Sequence, residues 1–337
     1  VNQPKPFSPG AVLVTGAGGM LGSHIVEILS QNGYRVKAMV LPGSPANNLQ
    51  GLPVEIFYGD IRDADTCKIA VSDCTMVIHT AAALSTWPTR SATLRAINIT
   101  GTQNMVQAAI DAGIQRFVHI STASCFGPGD KNHPATEKTP FRGARYRLDY
   151  VDSKYAAQQY ILEAVRSEGF PAVVICPTFM IGPNDVNLGS GQMIVAAYTQ
   201  KLRFLSPGGK NFVYVRDVAQ AAVNALQLGT PGETYIAGNI NLTYRQFFAL
   251  VGEITGTTPP HLPLPGWIIL VAGFVSSVLA TLLHFRPLLN YSQALVSLDT
   301  QFYSPAKAVE ELHMPQTDIR IALKAAFEWL RREQYCP

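Results

Sequence analysis

Charge is scarce in this chain. Lys, Arg, Asp and Glu make up 15% of its 337 residues, and the formal net charge is +3. Lys and Arg are scattered, and no run forms a basic arm, so nucleic acid is excluded as a partner. Cysteine is scarce too. The five cysteines, Cys67, Cys74, Cys125, Cys176 and Cys336, are odd in number and show no Cys-x-x-Cys spacing. That argues against a disulfide framework and a zinc site, so no metal is expected and a reducing, cytoplasmic setting fits. The stretch from Val1 to Gly10 is polar and proline-rich, and no secretory signal is visible in it. Solenoid-type repeats are missing.

Apolar residues are plentiful, at 47%. The length suits one large domain or two closely joined ones. The first half alternates short Val- and Ile-rich stretches with helical ones. Strands are expected at 11–15, 34–40, 54–58, 76–79, 116–120 and 172–176, and helices at 21–32, 64–71, 97–112 and 149–167. This rhythm predicts an α/β fold with a doubly wound parallel Rossmann sheet. After Pro177 turn signals cluster at 182–185 and 207–209. One more strand–helix unit is expected at 211–215 and 217–228. The expected division is a dinucleotide-binding region of 11–177 plus about 211–230, and a smaller, discontinuous C-terminal substrate region of 178–210 plus 231–337.

The loop Thr15-Gly16-Ala17-Gly18-Gly19-Met20-Leu21-Gly22 follows an apolar strand and opens a helix. Gly16 permits the tight turn, Gly19 lets the backbone approach a pyrophosphate, and Gly22 lets helix and sheet pack closely. The helix then offers free N–H groups, from Met20 onward, and the positive end of its dipole. After the third strand, Asp60 suits an adenine amino group and Ile61 the face of the ring, although an ordinary strand-end turn reads the same way. Ala81, Ala82 and Ala83 end the fourth strand. They either let the backbone lie against a cofactor or start an Ala-rich helix.

Tyr150 and Lys154 stand four apart on an expected helix, so they share one face. An ammonium about 4 Å from a phenol, at an effective dielectric near 20, stabilises the phenolate by about 4 kcal/mol. That would bring a tyrosine from about pH 10 toward neutrality. The fifth strand ends in Ser121-Thr122-Ala123-Ser124, where a hydroxyl can polarise a carbonyl. Asn98, at the start of the helical stretch after the fourth strand, is either an N-terminal cap or part of a proton path.

Taken together, Thr15-Gly16-x-x-Gly19-x-x-Gly22, Gly59-Asp60, Asn98, Ser121-Thr122, Tyr150-x-x-x-Lys154, Pro177-Thr178 and Val215-Arg216-Asp217-Val218 resemble the extended branch of the short-chain dehydrogenase/reductase superfamily. Within it the chain looks most like the 3β-hydroxysteroid dehydrogenase and dihydroflavonol reductase groups of the NAD-dependent epimerase/dehydratase type. The resemblance implies that Tyr150 is the general acid/base, that Lys154 binds the nicotinamide ribose and lowers the Tyr150 pKa, and that Thr122 is the active hydroxyl. Ser121 and Ser124 stand in reserve for that last role. It also implies cofactor contacts from the glycine loop, Leu41, Asp60, Ile61, Ala81 to Ala83, Asn98, Ser121, Pro177 and Thr178, and a homodimer through the helices at 97–112 and 149–167. One position departs from the pattern. No Asp or Glu occurs between Glu27 and Glu55, so the usual ribose diol partner is missing, and Leu41 stands where an Arg would mark NADP. With Ser44 close enough to touch a 2′-phosphate, NAD(P) is expected, tipped slightly to NADP.

From Ile254 through Phe285 there is no Asp, Glu, Lys or Arg. Residues 267–285 are almost wholly apolar and reach the length of a membrane span. Trp267, Leu270, Val271, Phe274, Val275, Val278, Leu279, Leu282 and Leu283 form a large-apolar stripe, and small or hydroxyl residues fill the other face. The split predicts a buried or partly exposed helix beside an apolar substrate pocket. Peripheral membrane contact through 267–285 is the alternative. The function expected is NAD(P)-dependent interconversion of an apolar carbonyl and its alcohol. A nucleotide-sugar epimerase or dehydratase is the alternative, with the few late cations Lys201, Arg203, Lys210, Arg216, Arg245 and Arg286 as candidates for a diphosphate. A non-catalytic cofactor-binding module is the third reading.

Overall fold

The structure is a computed structural model that describes residues 10–336. The N-terminal stretch discussed above lies, except for Gly10, outside the described residues. The chain opens with β1 (Ala11–Thr15), α1 (Met20–Gln31), β2 (Val36–Val40), β3 (Glu55–Tyr58), α2 (Ala64–Val71) and β4 (Cys74–His79). A short α3 (Ala92–Arg95), a π-helical turn (Ala96–Thr100) and α4 (Gly101–Asp111) then run on end to end. β5 (Arg116–Ile120), α5 (Asp149–Glu168) and β6 (Ala172–Pro177) follow.

Seven strands form one parallel sheet in the order β10-β6-β5-β4-β1-β2-β3, where β10 is Thr234–Ala237. Val12 and Val14 of β1 pack toward α1 on one face, and Ala11 and Leu13 toward α2 and α4 on the other. Burial on both faces explains why these strands read as continuous apolar runs. α5 stops at Gly169, whose φ of +65° forms a left-handed C-cap.

The remaining elements are β7 (Phe179–Ile181), α6 (Gly191–Tyr198), β8 (Phe204–Leu205), β9 (Gly209–Tyr214) and α7 (Val215–Leu228), then, after β10, β11 (Ile240–Thr243), α8 (Tyr244–Thr255) and β12 (Leu262–Pro263). α9 (Gly266–Leu283), α10 (Tyr291–Leu298), β13 (Thr300–Gln301), α11 (Ala306–Leu312) and α12 (Ile319–Arg332) complete the chain. β9 pairs with β7, β11 and β13 in a second sheet. Phe212, Phe247, Leu323 and Trp329 lie in the core that joins this sheet to α8 and α12.

The expected strand–helix unit at 211–228 divides between the two layers. Its strand, β9, lies in the smaller sheet, while its helix, α7, packs on α1 against the large sheet. The seventh strand of the large sheet is β10, from a segment expected in the substrate region. Local patterning places a strand but not its partners, and both segments are short apolar runs.

α9 is where burial departs most from expectation. Its small face is the covered one: Gly273 is pressed against Ala294, and Ser277 Oγ accepts the Tyr291 N–H at 2.9 Å. The large-apolar stripe points outward, with Trp267 67% and Phe274 58% exposed. Small residues let α10 come close, and close packing settles which face turns in.

Candidate active site

The glycine loop leaves β1 at the C-terminal edge of the sheet. Gly16 has φ +65°, and a Cβ there would lie 2.9 Å from the Ala81 backbone. A Cβ on Gly18 would lie 2.9 Å from the Pro45 carbonyl oxygen. On Gly22 it would collide with the Gly16 carbonyl and lie 2.9 Å from Ala17 Cα. Gly19 is the N-cap of α1, with no capping side chain and no acid in the first turn. Met20, Leu21 and Gly22 therefore present their N–H groups and the dipole's positive end. A backbone-only cradle before an uncapped helix fits a dinucleotide pyrophosphate.

The neighbouring loops frame that cradle. Leu41, just after β2, is 47% exposed, and a turn behind it closes where Ser44 N–H donates to the Leu41 carbonyl at 3.0 Å. Asp60 follows β3, and Arg62 grips its carboxylate through Nε at 2.9 Å and Nη2 at 2.5 Å. That guanidinium holds the carboxyl below its usual range. An adenine amino group at Asp60 would share the carboxylate with Arg62. Ile61 is turned into the core, where it fills the space beside Gly101. Ala81, Ala82 and Ala83 lie outside any regular element and start no helix. Ala81 N–H donates to Thr15 Oγ1, and Ala83 exchanges hydrogen bonds with the Asn98 side chain at 2.7 and 3.0 Å.

Asn98 is not the N-cap of its helix. Ser91 caps α3 by accepting from Leu94 N–H, seven residues earlier, and Asn98 sits buried in the π-helical turn. Such turns recur at functional sites because they re-aim side chains. Here the turn aims Asn98 Nδ2 at both the Ala83 carbonyl and Ser153 Oγ, each 3.0 Å away, and so ties the loop after β4 to α5.

Tyr150 and Lys154 do share one face of α5, beneath the end of β5. The Thr122 side chain lies beside the Tyr150 hydroxyl. Thr122 Oγ1 also accepts from Ser124 N–H at 3.3 Å. Ser121 turns away and donates to Gln158 Oε1 at 2.7 Å, so the structure brings Thr122, not Ser121, to the tyrosine. Lys154 is buried, and its Nζ donates to the Ile120 carbonyl at 2.6 Å. Burial pulls the Lys154 amine down to about 8.

The expected downward pull on Tyr150 is not what the site shows. Burial pushes its phenol up to about 12, with the neighbouring Cys125 adding to the rise and Thr122 opposing it. The physical reason is desolvation. The pocket around the phenol disfavours its anion, and the ammonium expected to favour it is directed at the Ile120 carbonyl.

Two histidines beneath this cluster carried no role in the sequence reading. His79 and His119 are register partners on β4 and β5, stacked with ring centroids 5.5 Å apart. His79 is held by Thr15 Oγ1 at 2.8 Å and Thr102 Oγ1 at 3.1 Å. Burial, reinforced by the Lys154 charge, keeps His79 neutral at about 3 and drives His119 well down. Their matching places at the ends of two adjacent strands were the available signal. Gln158, one turn after Lys154 on the same face, was also missed.

Pro177 closes β6, and Thr178 beyond it donates to Asn211 Oδ1 at 2.8 Å, joining the large sheet to the small one. Two of the cations considered for a diphosphate have other partners. Lys210 donates to Gln301 Oε1 at 2.6 Å, and Arg216 pairs with Glu27 at 3.1 Å.

Comparison with known proteins places this geometry. A family model described as the NAD dependent epimerase/dehydratase family matches residues 12–238. Sterol demethylase protein B of Methylococcus capsulatus is 30% identical over 325 residues, covering 95% of this chain and 98% of that one. The 4-hydroxy-2-methyl-3-oxo-4-farnesyl-3,4-dihydroquinoline-1-oxide ketoreductase of Stigmatella aurantiaca is 32% identical over 253 residues, 72% of each chain. The crystal structure of gox2253 superposes with a TM-score of 0.85 at 31% identity, over 97% of this chain and 100% of that one.

Proposed function

The chain belongs to the NAD dependent epimerase/dehydratase family, the extended short-chain dehydrogenases/reductases, and from that premise we propose that it interconverts a ketone or aldehyde and an alcohol on a fairly apolar small molecule. The observation that carries this reading is the Thr122–Tyr150 hydroxyl pair beside buried Lys154. Tyr150 packs against the same apolar cluster, Tyr146, Leu148 and Val151, as Leu295 and Val296 of α10, so apolar side chains gather near the hydroxyls. A relative named as a ketoreductase of a farnesylated ring supports an apolar carbonyl substrate.

The cofactor would lie on Gly16, Gly19, Met20, Leu21 and Gly22 with its pyrophosphate at the α1 N-terminus. Lys154 would hold the nicotinamide ribose. When bound, the nicotinamide supplies or accepts hydride. The chain's own residues handle the proton. A phenol held at about 12 stays protonated through the neutral range, so in the reductive direction Tyr150 is poised as an acid. It gives its proton to the carbonyl oxygen as that oxygen becomes an alkoxide, a stronger base than phenolate. Thr122 donates to the same oxygen and stabilises the charge building there. Lys154, still largely protonated at neutrality, offsets the phenolate that remains. NADP is favoured over NAD because no acid follows β2 to bind a ribose diol and repel a 2′-phosphate, and Ser44 could touch that phosphate, although Leu41 stands in the place of the usual Arg. The same reading includes a homodimer through the outer faces of α4 and α5.

The test is a cofactor-oxidation screen against apolar ketones and aldehydes with NADH and NADPH. Consumption of NADPH in step with alcohol formation supports the reading. NAD that stays bound through purification and shows no net turnover would favour an epimerase or dehydratase instead. The partners found for Lys210 and Arg216 count against that second reading, since a diphosphate would have to displace them.

A further inference from the structure

α5 meets the end of β5 at three successive turns. Tyr150, Lys154 and Gln158 stand four apart on one face of the helix, and the strand end offers them Thr122, Ile120 and Ser121. Tyr150 lies beside Thr122, and Lys154 Nζ donates to the Ile120 carbonyl at 2.6 Å. The third link has no part in the chemistry proposed above. Ser121 Oγ donates to Gln158 Oε1 at 2.7 Å, and both residues are buried. Burying an amide is costly unless its hydrogen bonds are made, so a glutamine at this depth calls for a use.

Its neighbours supply one. Gln158 Oε1 also accepts from the Cys176 thiol of β6 at 3.6 Å, so one oxygen joins β5 and β6 to α5. The Ser121 hydroxyl has a single proton, and Gln158 takes it. The Cys125 thiol, 3.4 Å from Ser121 Oγ, is then the donor in that contact. The Ser121 N–H donates to the Ile175 carbonyl at 2.7 Å, so the residue is tied to β6 through its backbone and to α5 through its side chain. Ser121 stands between the two groups that the reaction needs. The peptide joining Ile120 to Ser121 carries the carbonyl that receives Lys154, and the next residue carries the hydroxyl beside Tyr150. Beyond Ser121 the chain leaves the sheet, and Thr122 caps a short 3-10 turn at Ala123–Cys125. The placing of Thr122 therefore depends on how firmly Ser121 is held.

We propose that Gln158 is a positioning residue: by holding the Ser121 hydroxyl it fixes the end of β5, and with it the Thr122 hydroxyl and the Ile120 carbonyl, in register with Tyr150 and Lys154. The same bond keeps Ser121 turned from the tyrosine, which leaves Thr122 as the hydroxyl that serves the reacting oxygen. This role rests on the carbonyl chemistry proposed above.

The test is steady-state reduction of a carbonyl by NADPH, with urea unfolding of every variant as a check on folding. Gln158→Leu keeps the bulk of the side chain and removes the acceptor. It should lower kcat between about tenfold and a hundredfold, as a misplacement of about 1 Å does. Cofactor Kd and the KM for the carbonyl should stay within about twofold, since ground-state binding is untouched. Gln158→Glu keeps an acceptor oxygen at the same reach and should hold kcat within about threefold of wild type. Ser121→Ala should lower kcat as well, and adding it to Gln158→Leu should lower kcat no further, because the two residues act as one link. An unchanged kcat in Gln158→Leu overturns the proposal, with or without a loss of stability. A loss that Gln158→Glu shares in full, or one that adds to that of Ser121→Ala, overturns it too. Tyr150→Phe run alongside separates these outcomes from a failure of the reaction itself. If wild type reduces the carbonyl and Tyr150→Phe does not, the reaction stands whatever Gln158 does; if wild type reduces no carbonyl, the reaction fails and the role of Gln158 fails with it.

Discussion

Replacing Lys154 by methionine tests the electrostatics of the site. The side chain is buried, and its amine is pulled from 10.5 to about 8. At about 1.4 kcal/mol per pH unit, holding it charged at neutrality costs the fold about 3 kcal/mol. The folded pKa lies below the unfolded one, so the folded chain binds fewer protons between these values. The cost is therefore fully present below about pH 8 and fades as pH rises toward 10.5. Lys154→Met keeps the length of the side chain and removes the charge. It also removes the bond to the Ile120 carbonyl, which offsets part of the gain by about 2 kcal/mol. The variant should be as stable as the wild type at pH 7 or more so, by about 1 kcal/mol, while turnover falls at least about a hundredfold. Urea unfolding of both proteins across pH isolates the titration. From about pH 7 to about pH 9.5 the stability difference should move by about 2 kcal/mol in favour of the wild type. A difference that is flat with pH would refute a strained, buried ammonium.

Two further substitutions test the scaffold under the site. Gly22→Ala puts a methyl group against the rigid Gly16 carbonyl and Ala17; it should abolish measurable dinucleotide binding by fluorescence titration, and binding within a few-fold of wild type would count against the cradle. His79→Leu removes the link between Thr15 and Thr102; it should cost about 2 kcal/mol in urea unfolding, and an unchanged midpoint would show that this link carries no stability.

The large sheet was legible because its signals are local. Val12, Val14 and Val36 sit in strands buried on both faces, and β1 is followed by a helix of ordinary length. The pairing of Tyr150 with Thr122 was legible in part. The four-residue spacing put Tyr150 and Lys154 on one face, but only the folded chain shows Ser121 turned to Gln158. Burial was the hidden quantity. Spacing alone suggested a phenol drawn down by its lysine, whereas the surrounding protein pushes it up. Sheet membership of β9 and β10 was not legible, since it depends on partners far along the chain. The orientation of α9 was not legible either. Both of its faces are free of charge, and the close approach of Gly273 to Ala294 turns the large stripe outward.

The central claim is that Tyr150 passes the proton in a nicotinamide-dependent carbonyl reduction. Comparing wild type with Tyr150→Phe in NAD(P)H binding and in turnover of a carbonyl substrate tests it most directly. Cofactor affinity should stay within about twofold while turnover falls between about a hundredfold and ten-thousandfold. A Tyr150→Phe protein that binds cofactor normally and keeps full turnover would contradict the claim.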